Sequence, residues 1–200
     1  MNRKLERKKL MDELTQKDIH DAVVTILVEK GRDYFTMDRV AADAGIAKGT
    51  LYLHHDSKEA LLNSTVNYCF EPLDRKMEEI ISINQDPVLK LKQCALAWMK
   101  FADENKKIFL GLREEVFNTM YQYISDKKSW YWTYVTLFSS ALDEAVTAEK
   151  LKPMNTAKVA ILFLNATHSL MLHRLLFKSN ETLEDDVSDL MTLFIVGLAA

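Results

Sequence analysis

TMDRVAADAGIAKGTLYLHHDSKEALL, residues Thr36 to Leu62, is the stretch that decides the fold. Thr36 is an N-cap residue: its hydroxyl accepts from a backbone N–H that a helix start leaves unpaired. Behind it Met37, Val40, Ala41 and Ala44 fall at i, i+3, i+4 and i+7, the spacing of one apolar helix face. Phe35 before the cap and Val40 are placed for a hydrophobic staple. Gly45 ends this helix, because glycine takes the left-handed conformation without steric cost. A second short helix follows at about Ala47–Leu53, and another starts with Asp56 or Ser57 as its cap. Two short helices joined by so tight a turn make a helix-turn-helix.

At about 100° per residue, Ala47 and Leu51 of the second helix point toward the first. Lys48, Gly49, Thr50, Tyr52 and Leu53 spread over the remaining arc. Lys48 and Tyr52 are four apart, so a cation lies beside a phenol. Glycine inside a helix costs about 1 kcal/mol against alanine. Gly49 therefore suggests close approach by a phosphate backbone or a base edge, the alternative being a solvated face that tolerates a glycine.

The ordered set T-x-D-x-V-A-x-x-A-G, K-G-T-L-Y and S-K-E-x-L-L resembles the N-terminal domain of the TetR family of bacterial transcriptional regulators, over about residues 15 to 63. The resemblance implies that Thr36 meets a phosphate at a helix N-terminus. It implies that Lys48, Gly49 and Thr50 lie near base edges in the major groove, with Tyr52, His54 and Lys58 on phosphates to either side. Two positions depart from the family pattern. Ala47 stands where serine is frequent, which removes a cap, and His55 stands where phenylalanine is usual. His55 is either packed and neutral under the recognition helix or turned toward DNA, and the packed state is the expectation.

The rest of the chain fits this frame. Two hundred residues with 48% hydrophobic content suffice for one large or two small units. Five glycines, three prolines and few alternating β-branched runs point to an all-α protein of about nine helices. Its expected organisation is a helix-turn-helix DNA-binding domain over 1–63, with a basic arm at 1–14, and a helical effector-binding and dimerisation domain over 64–200. The net charge of −3 excludes a wholesale nucleic-acid binder. Residues 1–63 carry eleven Lys and Arg against eleven Asp and Glu, so the basic groups must gather on one face.

In the arm, Arg3, Lys4, Arg7, Lys8 and Lys9 either reach DNA or form a solvated helical extension. A helix capped by Thr15 buries Ile19, Ala22, Val23, Ile26 and Leu27 and closes at Lys30-Gly31. The helix begun at Ser57 runs to about Ile83 with Pro72 inside it. In the resemblance this helix links the DNA module to the effector core. Asp86 and Pro87 open the next helix. Another runs from Phe109 to Met120, and an aromatic-led one from Trp130 to Lys150.

The segment beginning at Pro153 and ending at Phe177 is apolar nearly all round, so it needs cover on more than one side. With the helix capped by Thr182, whose Leu183, Val187, Leu190, Leu193, Phe194 and Leu198 are expected inside, it forms a homodimer bundle over about 153–177 and 182–200. Asn165, His168, His173 and Arg174 within it argue against a bilayer span. No secretory signal is visible, and two cysteines, Cys69 and Cys94, suit a reducing cytoplasm.

Trp98, Phe101, Phe117, Tyr134 and His168 are the candidates for lining an effector cavity, which the resemblance places among the middle helices. The expected function is a DNA-binding transcriptional regulator, a repressor that holds a palindromic operator in double-stranded DNA as a dimer. A small, largely apolar or aromatic effector releases it. The alternative is an adaptor with no small-molecule effector, whose helical domain recruits a protein. No phosphate-cradling glycine loop, H-E-x-x-H or G-x-S-x-G is present, so an enzyme is not expected. No cofactor or metal is expected either: His168 and His173 diverge by about 140° on a helix, and no Cys/His cluster has zinc spacing.

Overall fold

The computed structural model describes residues 3–112, 130–177 and 179–196. Nine α-helices stand among them: α1 Arg3–Glu29, α2 Met37–Asp43, α3 Lys48–His54, α4 Lys58–Ser82, α5 Pro87–Glu104, α6 Lys106–Gly111, α7 Trp130–Thr147, α8 Thr156–Leu176 and α9 Leu183–Val196, with a single 3-10 turn at Arg32–Tyr34. The all-α architecture with an N-terminal helix-turn-helix is therefore the one the sequence indicates.

Local chemistry sets most of the boundaries. Gly31 (φ 80°) and Gly45 (φ 69°) take the left-handed backbone that ends α1 and α2. Thr36 Oγ1 accepts from the Arg39 N–H at 3.3 Å, and Ser57 Oγ accepts from the Ala60 N–H at 3.0 Å. Asp86 accepts from the N–H groups of Val88 and Leu89, with Pro87 in the first helical turn of α5. Thr182 and Asp185 cap each other reciprocally at the start of α9. Pro72 sits inside α4 without ending it.

Three expectations need correction. α1 starts at Arg3 rather than at Thr15, whose hydroxyl instead donates back to the Met11 carbonyl inside a continuous helix. Lys9–Glu13 and Lys17–Asp21 pairs four residues apart support that extension, and Leu5, Leu10, Met11 and Leu14 on it are exposed. α8 starts at Thr156, not Pro153, because Asn155 supplies the cap by accepting from Lys158 N–H. Leu193 of α9 is 78% exposed rather than inward. The expected helix over 109–120 is described only to Leu112; Val116, Phe117 and Met120 lie outside the described residues, as does Leu198.

The chain divides into two compact units, Met1–Phe70 with Lys107–Thr119 and Glu71–Lys106 with Met120–Ala200. The first has a core of Ile19, Val23, Ile26, Phe35, Val40, Leu51, Leu61 and Leu112, all fully buried. Leu112 arrives from far along the sequence. Its approach requires Gly111, because a Cβ there would collide with the Val28 side chain and stand 3.1 Å from its Cα. In the second unit α5 buries Leu91, Cys94, Ala95, Trp98, Met99 and Ala102. An aromatic run crosses its core, with Trp98–Tyr134 centroids 5.0 Å apart, Phe138–Phe163 5.5 Å and Phe163–Phe194 5.3 Å. The one helix among the described residues long and apolar enough to cross a membrane is α8, by length and composition, and its middle carries Asn165 and His168.

Behind α3 lies a layer of histidines. His55 is buried beside His20, with ring centroids 5.7 Å apart, and His20 stacks on Tyr68 at 4.6 Å. Thr65 donates its hydroxyl to the Leu61 carbonyl, so its oxygen must accept from His20 Nδ1 at 2.9 Å. That bond places a proton on Nδ1 of His20. Burial, reinforced by His55 and weakly opposed by Asp21, lowers the His20 pKa from the ordinary 6.5 to about 4. Burial and then His54 lower His55 as well, against Asp56, and its Nε2 is buried with no hydrogen-bond partner among the described residues.

Two outcomes follow from this packing. Gly111→Ala lowers the thermal midpoint, by the equivalent of about 1–3 kcal/mol for an overpacked contact; calorimetry of the two proteins checks it. The unfolded chain binds protons to His20 and His55 below the ordinary 6.5 while the folded unit resists, so stability is full above that pH and falls between 6.5 and about 4. Neutral burial of His20 makes its share on the order of 3 kcal/mol. Melting curves from pH 7.5 to 5 should show the fall, and His20→Asn, which keeps a donor for Thr65, should flatten it.

Candidate nucleic-acid interface

α2 and α3 meet through a three-residue turn plus the Ala47 cap position, with the Ile46 N–H donating to the Ala41 carbonyl at 2.9 Å. α3 enters the core through Leu51, the buried residue of the helix. Lys48, Gly49, Tyr52 and Leu53 are exposed and Thr50 is half-buried. Ala47 makes no side-chain cap, as its residue type requires.

The candidate residues fall along two edges. On the first, Lys48 Nζ lies 2.6 Å from Asp38 Oδ1 and 6.0 Å from the Tyr52 ring. Asp38 occupies the first turn of α2, two residues past Thr36, so the ion pair draws Lys48 and Tyr52 to the capped end of that helix. Lys58 joins this edge, with Nζ 4.8 Å from the centroid of the buried Phe35 ring next to Thr36. The Asp38 hydrogen bond and charge raise the Lys48 pKa, so the side chain stays cationic.

On the second edge lie Thr50 and, one turn on, His54, which faces α1. The Gln16 side-chain amide lies 2.7 Å from His54 Nδ1, which leaves the ring proton on Nε2, 3.7 Å from Asp12 Oδ1. His54 is thus engaged inside the unit, on a different side from Lys48. His55 is packed in the histidine layer and not turned outward. Sequence reading missed three participants. An acidic residue in a first helical turn ordinarily reads as a dipole partner, which hid Asp38. Asp12 acts only because α1 begins upstream of Thr15, and Gln16 shows its partner only once that continuous helix meets His54.

In the second unit, Trp98 and Tyr134 come together. Trp98 Nε1–H donates to Met171 Sδ at 3.1 Å, and the Tyr134 hydroxyl donates to the Asp74 carboxylate. Burial raises the Tyr134 phenol, and it raises Asp74 against the lowering effect of that hydrogen bond. Phe101 and His168 are half-buried on α5 and α8, and burial lowers the His168 imidazole. Phe117 lies outside the described residues. A separate open groove of about 460 Å³, lined among others by Leu89, Lys92, Met191 and Ile195, contains none of these side chains.

The family described as bacterial regulatory proteins, tetR family, matches residues 19–65. The biofilm operon icaADBC HTH-type negative transcriptional regulator IcaR of Staphylococcus aureus is 38% identical over 68 residues, covering 34% of each chain. This chain therefore spans about a third of that relative's length. Among solved structures, a putative transcriptional regulator from Pseudomonas aeruginosa PAO1 superposes with a TM-score of 0.78, covering 98% of this chain and 95% of that one at 16% identity. The transcriptional regulator FadR from Bacillus subtilis, in complex with stearoyl-CoA, gives 0.72 over 91% and 98% at 17% identity. Identities that low speak for the fold alone, whereas the match over α1 to the start of α4 covers the helix-turn-helix residue by residue. Residues 19–65, which hold the helix-turn-helix, are thus the part of the chain similar to the tetR family of bacterial regulatory proteins.

Proposed function

We propose that the chain is a DNA-binding transcriptional regulator that acts as a repressor, and that α3 is its recognition helix. The observation that carries this reading is the division of α3: Leu51 alone is buried, Thr50 and His54 are half-buried, and Lys48, Gly49, Tyr52 and Leu53 stand outward. In this reading Lys48, Gly49 and Thr50 approach base edges, while Thr36, Tyr52 and Lys58 hold phosphates. His54 takes a lesser part, since α1 already engages it. The match to IcaR, a negative regulator, favours repression.

The chain acts as a homodimer on a near-palindromic operator, with half-sites one helical turn or a small multiple apart. Leu162 and Leu176 of α8, with Leu193 and Val196 of α9, are exposed apolar residues on the two helices assigned to that interface. The place of action is the cytoplasm, and neither membrane nor catalysis is part of the reading.

A small, largely apolar effector acts on the second unit through the region of Trp98, Phe101, Phe117, Tyr134 and His168. The stearoyl-CoA bound to FadR of Bacillus subtilis supports an acyl-bearing class. The adaptor reading rests on a different observation: Trp98 and Tyr134 are buried and spend their polar hydrogens on Met171 and Asp74. Thermal shift with long-chain acyl-CoA separates the two, since only the effector reading gives a raised midpoint.

Asp38 supplies the sharper test. It neutralises Lys48 in the free protein, so it competes with DNA for that cation. In mobility shifts with the promoter DNA beside its own gene, Asp38→Asn should tighten binding and Lys48→Ala weaken it about tenfold, as for loss of a base contact. In the Lys48→Ala background, Asp38→Asn should lose most of its effect. Salt-insensitive or absent binding would sink the DNA reading.

A further inference from the structure

The outermost line of α3 carries no charge. At about 100° per residue, Gly49 and Leu53 lie within about 40° of one another, and their midpoint stands about 180° from the buried Leu51. Leu53 is 85% exposed, more than any other large apolar side chain among the described residues. Nothing in the fold asks for it there, because α3 is anchored from the opposite side.

Gly49 is equally unexplained by the protein itself. A methyl group at its Cβ position would meet nothing within 4 Å, and its φ lies outside the left-handed region. Neither packing nor backbone conformation requires glycine, and helix propensity opposes it. Two neighbouring residues thus each depart from what the fold favours, on the one face turned to solvent.

A single occupant accounts for both. It comes close enough to the α3 backbone to exclude a Cβ at 49, and it offers an apolar group at 53. In the major groove of B-DNA the apolar group on a base edge is the thymine C5 methyl. We propose that Leu53 packs on a thymine methyl in each operator half-site, and that Gly49 is the gap through which the helix backbone approaches the base edges. Lys48 and Tyr52 flank this line on one side and Thr50 on the other, so an apolar contact sits between polar ones. The inference rests on the DNA reading above and deepens it by naming a base and an atom.

The test starts from duplexes that the full-length protein enriches out of a random-sequence pool. Each thymine of an enriched duplex is then replaced by deoxyuridine, which lacks only the C5 methyl. One position per half-site should weaken binding about fourfold, the factor for ~0.8 kcal/mol of one buried carbon. Substituting both half-sites should give about fifteenfold on the same basis. Leu53→Ala should melt like the wild type, bind the thymine duplex more weakly, and show no difference between thymine and deoxyuridine at that position. Gly49→Ala should melt no lower than the wild type yet bind at least about tenfold more weakly, as for a lost base contact. A flat deoxyuridine series overturns the proposal, as does methyl dependence that survives Leu53→Ala or full binding by Gly49→Ala. Enrichment of no duplex at all overturns the DNA reading first, and this assignment with it.

Discussion

The burial of Leu51 is the contact on which the first unit's surface depends. A seven-residue helix cannot hold itself in water, since nucleation is unfavourable and few hydrogen bonds offset it. α3 exists because Leu51 enters a core already formed by Ile19 and Val23 of α1, Val40 of α2, Phe35 before it and Leu61 of α4. A single anchor leaves most of the circumference uncommitted. This is why a helix of seven residues presents a cation, a phenol, a glycine and an exposed leucine at once.

The lower support of α3 is less ordinary. His55 follows the helix directly and is packed against His20, which in turn is fixed by Thr65 and Tyr68. A phenylalanine would fill such a place with apolar surface alone. An imidazole fills it only while neutral, because a charge in that layer is buried against a second imidazole. His54 is treated oppositely: it faces Gln16 and Asp12 on the exposed half of α1. The long first helix therefore does more than extend into solvent, since one turn of it fixes the end of α3.

Much of this was legible in the sequence, for physical reasons that can be named. Thr36, Gly45, Ser57, Asp86 and Thr182 act through their own neighbours, so their roles as caps and stops show in the local string. The buried face of α1 repeats with helical period over three turns and is equally plain. What failed was non-local. Thr15 looks like a start signal, and only the charged pairs upstream reveal that the helix is already under way. Gly111 reads as an unremarkable residue until Val28, more than eighty positions earlier, is found against it. The face of Leu193 depends on what lies beside α9, which one chain's periodicity does not encode. The Lys48–Asp38 pair crosses a turn between two helices, and spacing rules within one helix do not reach it.

Charge accounting then fixes the kind of recognition the module is suited to. Residues 1–63 hold as many acids as bases, and several bases are already paired: Lys48 with Asp38, Lys30 with Asp43, Lys17 with Asp21 and Lys9 with Glu13. Exposed pairs of this kind contribute little to stability, but each removes a cation from the long-range field that would steer an anionic polymer. Binding by such a surface exchanges partners at short range instead of collecting charge at long range. Discrimination then falls to contacts made only at full approach, where the flat Gly49 backbone and the uncharged Leu53 side chain stand ahead of the lysine. In the proposed DNA-bound state, a surface built this way takes its selectivity from fit, with electrostatics adding the last short-range exchange at Lys48.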